Sequence, residues 1–231
     1  MMIVINRAFA PVIQALGEQV LDLVAENVTE LVMAHPPVSH PLFSAYRLSL
    51  LTEIRAYLAR PSPSQIELVT AAENGAVLGF ALCGLSPSGE CGVYYTAVSK
   101  ARRNQGIMSL MMRDIVSRYS VISLSCDVHQ VSRYERYGFV PASVRKNHIV
   151  MVIGYPQEET PVLDEDQLKQ QPPILQEQLA ASRRSTKRAV DQANKAMKKL
   201  QKAGEGKAKQ YLKQRLKQRA EDQQQRDLGQ N

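Results

Sequence analysis

The sequence predicts a mixed α/β domain, with a central sheet flanked by helices, followed by an extended helical tail. Patterns typical of strands and of amphipathic helices alternate through the first 155 of the 231 residues. Beyond that point the composition shifts to Lys, Gln and Ala, with Tyr211 as the single aromatic residue. Because 44% of the residues are hydrophobic and 22% are charged, the chain can bury a core, which excludes collagen-like and wholly disordered classes.

The first elements alternate between strand and helix patterns. Residues 2–5 are short and rich in β-branched side chains, which predicts a strand. Pro11 then stands where a helix tolerates proline best, at its first position. Apolar residues recur at three- and four-residue steps from residue 12 to residue 31, which predicts an amphipathic helix. A second helix is expected over residues 46–58, ending before Pro61.

The rest of the domain is predicted to be mainly strands. Asn74 and Gly75 are a strong signal for a hairpin between two strands. The expected elements are strands over residues 65–72, 76–84 and 92–98, a helix over 105–119, a buried strand over 121–126, a short helix over 131–136 and a strand over 148–153. The predicted order is therefore βααβββαβαβ.

One stretch, residues 96–108, indicates chemistry, because it places a strand end, a basic turn and Gly106 directly before a helix. Backbone N–H groups in such a turn, together with the first N–H groups of the helix, present donors to an anion. Gly106 allows close approach of the backbone. Taken alone, the pattern fits a phosphate site and an ordinary solvated turn equally well.

Two further motifs carry a family resemblance. Arg103-x-x-Gly106 follows the strand end at Val98 by five residues, and about 30 residues later the chain reads Tyr134-x-x-x-Gly138-Phe139. Within the predicted element order, this pair of motifs resembles the Gcn5-related N-acetyltransferase superfamily. The resemblance covers residues 1–154, is sharpest over 93–139, and does not extend to the tail.

The resemblance implies acetyl-CoA as co-substrate and an unidentified amine as acceptor. The turn at residues 103–108 would wrap the pyrophosphate, and the strand end at Ala97 and Val98 would splay from its neighbour, pair with the pantetheine arm and polarise the thioester carbonyl. Tyr134 would protonate the departing thiolate, unless it is simply a packed aromatic. The coenzyme-binding residues implied are Ala97, Val98, Arg103, Asn104, Gln105, Gly106, Ile107 and Met108.

The chain departs from the family pattern at three positions. Met108 stands where the family prefers Gly or Ala, so its side chain either crowds the turn or points into the core. Asp127 and Gln130 stand where the family often has Asn and Ala.

No side chain stands out as a general base. Glu90, Asp127 and His129 are candidates by position, and an ordered water is an equal alternative. His35, His40 and His148 have no partner that the sequence identifies.

Charge and composition divide the chain into a domain over residues 1–155, an acidic Pro-containing linker over 156–173 and a basic tail over 174–231. Residues 157–166 carry five acidic and no basic side chains, whereas residues 167–231 carry 16 basic and six acidic ones. The positive charge therefore belongs to the tail.

The tail is expected to form two helices, over residues 174–200 and 207–226, separated by Gly204-Glu205-Gly206. Their apolar stripes are thin, so we expect either a partly disordered extension or helices held by partners. The basic excess favours an anionic partner, which could be a protein surface or a nucleic acid. Copies of the helices themselves are a further option.

Three cysteines, Cys83, Cys91 and Cys126, form no motif and have no neighbouring histidine pair at metal-ligand spacing, so we expect no metal site. An odd number of cysteines favours a reduced chain, in the cytoplasm or within a virion rather than secreted. The N-terminus lacks the basic leader of a signal peptide, and no apolar run is long enough to span a membrane.

Two functions follow from these observations. The first is an acetyl-CoA-dependent N-acetyltransferase whose tail docks it to a larger assembly. The alternative is a catalytically silent acetyltransferase-like structural protein of a virion or another large complex, anchored by its helical tail. A nucleic-acid-associated enzyme is a third possibility if the tail binds DNA or RNA.

Overall fold

The computed structural model describes residues 2–61 and 65–228 of the chain, and within these residues seven strands form one sheet in the order β1-β2-β3-β4-β5-β7-β6. Neighbouring strands are antiparallel except β4 and β5, which are parallel. The strands are β1 (Val4–Phe9), β2 (Ile66–Glu73), β3 (Ala76–Leu85), β4 (Cys91–Val98), β5 (Ile122–Cys126), β6 (Val140–Arg145) and β7 (His148–Ile153).

Helices cover both faces of this sheet, so the predicted fold class is confirmed. On one face α1 and α3 pack on Leu68, Phe80 and Leu82, and on the other α4 packs on Val69 and Ala81, as expected for strands whose side chains alternate between two cores. The helices are α1 (Gln14–Glu26), α2 (Val28–Leu31), α3 (Phe43–Leu58), α4 (Ile107–Arg118), α5 (Val131–Glu135), α6 (Glu165–Lys169), α7 (Pro172–Arg183) and α8 (Lys187–Leu228).

The N-terminal elements differ from the predicted ones. The first strand extends to Phe9, because it pairs along its length with β2. Pro11 does not begin a helix: it follows a cis peptide bond, and α1 begins at Gln14. The long predicted helix is divided at Asn27, whose side-chain amide donates to the carbonyl oxygen of Leu23 at 2.8 Å.

Strand β6 was not predicted. It lies at the edge of the sheet and contains Pro141, a residue that edge strands accommodate because one side of the strand has no hydrogen-bonding neighbour. Its pairing with β7 is irregular between Pro141 and Ser143. The strand therefore exists because β7 holds it, and not because of its own propensity.

A buried ion pair joins α4 to the sheet. Glu67 on β2 is fully buried, and its two carboxylate oxygens accept hydrogen bonds from Arg118 at 2.7 Å and from the hydroxyl of Tyr119 at 2.8 Å. Arg118 also pairs with Asp114 at 2.9 Å. The Glu67 charge is thus stabilised by hydrogen bonds on both oxygens, which a buried carboxylate requires.

The three cysteines are free and buried. Burial raises the pKa of Cys126 to about 12, so this thiol stays protonated at neutral pH. In these surroundings the cysteines act as small packing residues.

The helices of the tail differ from the predicted pair. The break lies at Arg184–Thr186 instead of Gly204–Gly206, and α8 runs through both glycines. Gly204 faces the hairpin between β6 and β7: a Cβ at this position would lie 3.0 Å from the Cβ of Asn147. The glycine that was expected to end a helix instead allows the helix to pack closely on the domain.

The tail packs on its own domain, a contact that the sequence did not indicate. Ile174 and Ala181 of α7 are buried, and α7 packs against α3. Ala208 of α8 is fully buried in the core cluster that contains α4, and Arg215 forms an ion pair with Glu135. In contrast, Leu200 remains 73% exposed. The second of the two predicted helices therefore supplies a fully buried residue of α8, Ala208.

A bilayer-spanning helix needs about 20 apolar residues. No helix within residues 2–61 and 65–228 is both long enough and apolar enough to cross a membrane.

Candidate functional site

The site begins where β4 and β5 separate. The two strands pair only from Cys91–Val93 to Ile122–Leu124. The next residue, Tyr94, is an extra residue in β4, because Leu82 of β3 lies opposite Tyr95 while Cys83 lies opposite Val93. A bulge of this kind bends its strand, so β4 diverges from β5 beyond Tyr94. The separation of β4 from β5, which was expected at Ala97 and Val98, thus begins directly after Tyr94.

The register shows which backbone groups face the resulting gap. The N–H of Ser99 donates to the carbonyl oxygen of Leu78, directly opposite, at 2.8 Å. Because antiparallel strands alternate, the N–H of Ala97 also turns towards β3, whereas the N–H groups of Thr96 and Val98 turn towards the gap. Val98 therefore offers a backbone donor there, and Ala97 is among the residues that line the cleft.

The turn before α4 has the backbone of an anion site. Asn104 and Gly106 adopt left-handed conformations with φ of 63° and 78°. Gly106 is the residue before the first turn of α4, and no side chain caps this turn. The first intrahelical bond runs from Leu110 N–H to the carbonyl oxygen of Gly106. The N–H groups at the start of α4 are thus available as donors, in the positive region of the helix dipole.

These elements border a cleft of about 980 Å³. Arg103, the basic residue of the motif, does not reach freely into it: its guanidinium donates to the side-chain oxygen of Asn27 and lies 3.5 Å from Glu30. Arg102 is likewise held by Glu73, at 2.8 Å. Arg102 and Arg103 therefore stabilise the turn in this structure.

Three arginines that the sequence analysis did not identify line the same cleft. They are Arg113 of α4, Arg133 of α5 and Arg136 directly after α5. Among the described residues, no acidic side chain forms an ion pair with any of them. Arg133 and Arg136 are three residues apart, so both lie on one face of the helix. This spacing is the feature of the sequence that could have indicated them. The cleft thus concentrates unneutralised positive charge.

The other residues of the turn pack beneath or beside the cleft. Ile107 is 1% exposed and belongs to the core. Gln105 accepts a hydrogen bond from Arg102 at 2.9 Å. The sulfur of Met108 accepts a hydrogen bond from Thr96 at 3.3 Å, so this side chain lies against the end of β4. Met108 is partly buried against the core and also lines the cleft.

Tyr134, the proposed proton donor, is almost fully buried, although the cleft is open. It is 5% exposed and packs edge-to-face on Phe139, with ring centroids 5.9 Å apart. Burial raises the pKa of its phenol, which therefore stays protonated at neutral pH. The tyrosine that lines the cleft is Tyr137, whose hydroxyl donates to Ser109 at 2.7 Å.

The three candidate bases lie in different places. Glu90 is at the opposite end of β4 from Val98 and accepts backbone N–H groups of the linker at Gln157, so it is not a candidate base. His129 lines the cleft. Asp127 lies beside two histidines, His35 and His148, for which the sequence indicated no partner.

A comparison with protein families identifies the domain. Residues 27–139 match the acetyltransferase (GNAT) family. No curated protein matches the sequence significantly.

Solved structures with the same fold include several acetyltransferases. One is a structure from Corynebacterium glutamicum described as histone acetyltransferase HPA2 and related acetyltransferase, which is 16% identical with a TM-score of 0.51. The match covers 68% of this chain and 100% of that chain. PaiA N-acetyltransferase from Thermoplasma acidophilum, in complex with coenzyme A, is 15% identical, with a TM-score of 0.50 and coverages of 67% and 100%. An acyl-CoA N-acyltransferase from Pseudomonas aeruginosa is 18% identical, with a TM-score of 0.50 and coverages of 66% and 100%.

The matched residues 27–139 include the bulged β4, the turn at Gly106 and the segment from Tyr134 to Phe139. Residues 27–139 therefore carry the match to the GNAT acetyltransferase family, and the solved structures share the fold of the domain.

Proposed function

We propose that the chain is an acetyl-CoA-dependent N-acetyltransferase, with residues 1–155 as its catalytic domain. Its family and fold support an N-acyltransferase in general. The observation that carries the proposal is the cleft at the separation of β4 and β5, where unpaired arginines meet the free N–H groups of a helix start.

The residues of the cleft fit a coenzyme with several phosphates. The turn at residues 103–108 and the first N–H groups of α4 would hold the pyrophosphate, because they offer donors in a cleft whose lining includes one acidic residue, Glu30, and this residue already lies beside Arg103. Arg113, Arg133 and Arg136 would neutralise the phosphate charge, since guanidinium groups bind phosphate in a bidentate manner. Gly106 keeps the turn open because a Cβ there would meet nothing within 4 Å and the backbone has a positive φ.

Acyl transfer in this site would be direct. The acceptor nitrogen forms a bond to the acetyl carbonyl carbon, the carbon–sulfur bond breaks, the nitrogen loses a proton and the departing thiolate gains one. The N–H of Val98, which faces the gap, would donate to the carbonyl oxygen as negative charge develops there. We keep Tyr134, whose phenol is protonated but packs behind the residues that line the cleft, as the donor of the proton to the thiolate, and His129 or an ordered water would accept the proton of the amine.

The tail would have two roles. Its buried face holds α8 to the domain through Ala208 and Arg215. Its outer face carries most of the 16 basic side chains of residues 167–231, and we propose that it docks the enzyme to an anionic surface of a larger assembly. Binding to nucleic acid through this face would weaken steeply as salt rises, which filter binding at increasing salt measures.

The test of the enzymatic proposal is calorimetric titration of the full chain with acetyl-CoA and with CoA. We expect micromolar binding, followed by release of the CoA thiol when a suitable amine is added. A folded chain that binds neither compound would refute the proposal and leave the domain as a scaffold.

Two arginine variants sharpen this experiment. Arg136→Gln removes a guanidinium from the cleft, and losing one charge-assisted hydrogen bond should weaken CoA binding by about 10-fold. Arg145→Gln removes the same charge from an exposed position on β6 and should leave the affinity unchanged. Equal effects of the two substitutions would mean that the cleft does not hold the phosphates.

A further inference from the structure

Two histidines and an aspartate converge at one point outside the set of residues that line the cleft. The Nε2 of His35 lies 3.4 Å from one carboxylate oxygen of Asp127, and the Nε2 of His148 lies 3.4 Å from the other. The two Nε2 atoms are 3.5 Å apart. One ligand atom from each of the three residues can thus be chosen so that all three atoms lie within 4.8 Å of one another.

The hydrogen bond at the far side of His35 indicates how its ring is protonated. Its Nδ1 lies 3.0 Å from the carbonyl oxygen of Thr29, which can only accept, so Nδ1 carries a proton. In the neutral ring Nε2 then presents a lone pair towards Asp127 and His148. An N–H···O bond between an imidazolium and a carboxylate would be about 2.7–2.9 Å long, which is shorter than the observed 3.4 Å.

The spacing between the three residues instead fits a shared metal ion. Around a tetrahedral ion with bonds of about 2.0–2.1 Å, neighbouring ligand atoms lie about 3.3–3.4 Å apart. Around an octahedral ion with bonds of the same length, they would lie about 2.9 Å apart. Each histidine Nε2 lies 3.4 Å from one oxygen of Asp127 and 3.5 Å from the other Nε2, so each pair of residues has the spacing of tetrahedral neighbours, with a different carboxylate oxygen facing each histidine.

From this geometry we propose that His35, Asp127 and His148 bind one Zn²⁺ ion. Two imidazoles and one carboxylate are a ligand set that zinc accepts in four-coordinate sites with one position left open. The side chains are 33%, 24% and 12% exposed, in the order His35, Asp127, His148, so water can reach the fourth position. The hydrogen bond from His35 to Thr29 is the outer contact that typically orients a ligating histidine.

The three ligands come from separate parts of the fold. His35 lies in the loop between α2 and α3, in a left-handed conformation with φ of 47°. Asp127 follows β5, and His148 begins β7. Bound zinc would therefore tie the loop between α2 and α3 to the β6–β7 hairpin, on which α8 packs through Gly204. Local spacing in the sequence could not indicate this site, because the ligands are 92 and 21 residues apart.

The site should bind Zn²⁺ with moderate affinity. The Nδ1 of His148 is buried and has no hydrogen-bond partner within the part of the chain that the structure describes. Only one of the two histidines thus has an outer partner, and loss of such a contact typically weakens metal binding by about 10–100-fold. We expect binding in the micromolar range rather than the nanomolar range of fully supported sites.

The first test is calorimetric titration of the full chain with ZnCl₂ after dialysis against a chelator. We expect one equivalent to bind, and we expect His35→Gln and His148→Gln each to weaken binding by at least about 10-fold. His129→Gln is the matched control, because it removes a histidine from the same region that is not one of the three ligands. No binding by the folded chain, or equal binding by all three variants, would overturn the proposal.

A second measurement covers the case in which a variant folds poorly. Thermal unfolding of the wild-type chain should shift upwards with Zn²⁺ in excess over the dissociation constant, because an ion that binds only the folded state stabilises it. Co²⁺ in place of Zn²⁺ should give the intense visible absorption of a tetrahedral site. A wild-type chain with no thermal shift and only weak, octahedral Co²⁺ absorption would refute the site without any variant. Neither measurement uses coenzyme, so the result is independent of the proposed acetyltransferase activity.

Discussion

Replacing Gly106 with glutamate perturbs the proposed phosphate site directly, because this residue precedes the exposed N–H groups of α4 in the cleft wall. Two effects must be separated. Any side chain at a φ of 78° strains the backbone, at a cost of about 1–2 kcal/mol in the stability of the fold. The carboxylate adds a negative charge where a pyrophosphate would lie.

The charge should dominate the change in affinity. At about 5 Å and an effective dielectric constant of about 20–40, two unit charges repel by about 2–3 kcal/mol, which corresponds to a 30- to 150-fold loss of CoA affinity. The strain should contribute little, because a Cβ at Gly106 meets nothing within 4 Å and the free and bound states carry the same backbone. Gly106→Ala should therefore lower stability while keeping CoA affinity within a few-fold of wild type.

Gly89 provides the matched control for the glutamate. Its φ is 86°, and a Cβ there also meets nothing within 4 Å, but it lies before the other end of β4, about 25 Å away along the strand. Gly89→Glu thus introduces the same charge and comparable strain outside the cleft, and it should leave CoA affinity unchanged.

The assay is calorimetric titration of the three variants with CoA at low and at moderate salt, with thermal unfolding to verify that each is folded. Because salt screens the repulsion, the gap between the Gly106→Glu and Gly106→Ala variants should narrow as salt rises. If Gly106→Glu binds CoA as tightly as wild type, the turn does not hold the phosphates and the site assignment is wrong.

Three further substitutions test other parts of the structure. Tyr134→Phe should lower turnover by about 100-fold with little change in CoA affinity, since it removes only the proposed proton donor; a fully active variant would leave Tyr134 as a packing residue. Arg118→Met should lower the free energy of unfolding, measured by denaturant titration, by about 3–5 kcal/mol, because it leaves the buried Glu67 without its cation. Adding Glu67→Gln to this variant should recover part of the lost stability. Ala208→Asp should release α8 and speed proteolysis of the tail, whereas Ala203→Asp on the exposed side of the same helix should not; equal digestion of both would contradict the docking of α8.

Local signals in the sequence predicted those elements that depend on neighbouring residues. The hairpin at Asn74-Gly75 was predicted because both residues readily adopt positive φ, and they do so in the structure, at 52° and 80°. The turn at Gly106 was predicted from a strand end, basic residues and a glycine directly before a helix, all of which are contiguous in the chain.

The predictions that were wrong concern elements whose local preference is overridden by packing. Glycine costs about 1 kcal/mol in a helix, yet α8 continues through Gly204 because it packs on Asn147. Similarly, β6 forms despite Pro141 because β7 supplies a partner strand.

The sequence by itself determined the α/β class, the glycine-containing turn before α4 and the basic character of the tail, since each depends on residue types that are adjacent or regularly spaced. Only the tertiary structure decided which arginines face the cleft without an acidic partner, how deeply Tyr134 is buried and that His35 meets Asp127 and His148. The physical reason is that pairing, burial and metal-ligand spacing are distances in space. For residues far apart in the chain, the order of strands in the sheet sets these distances.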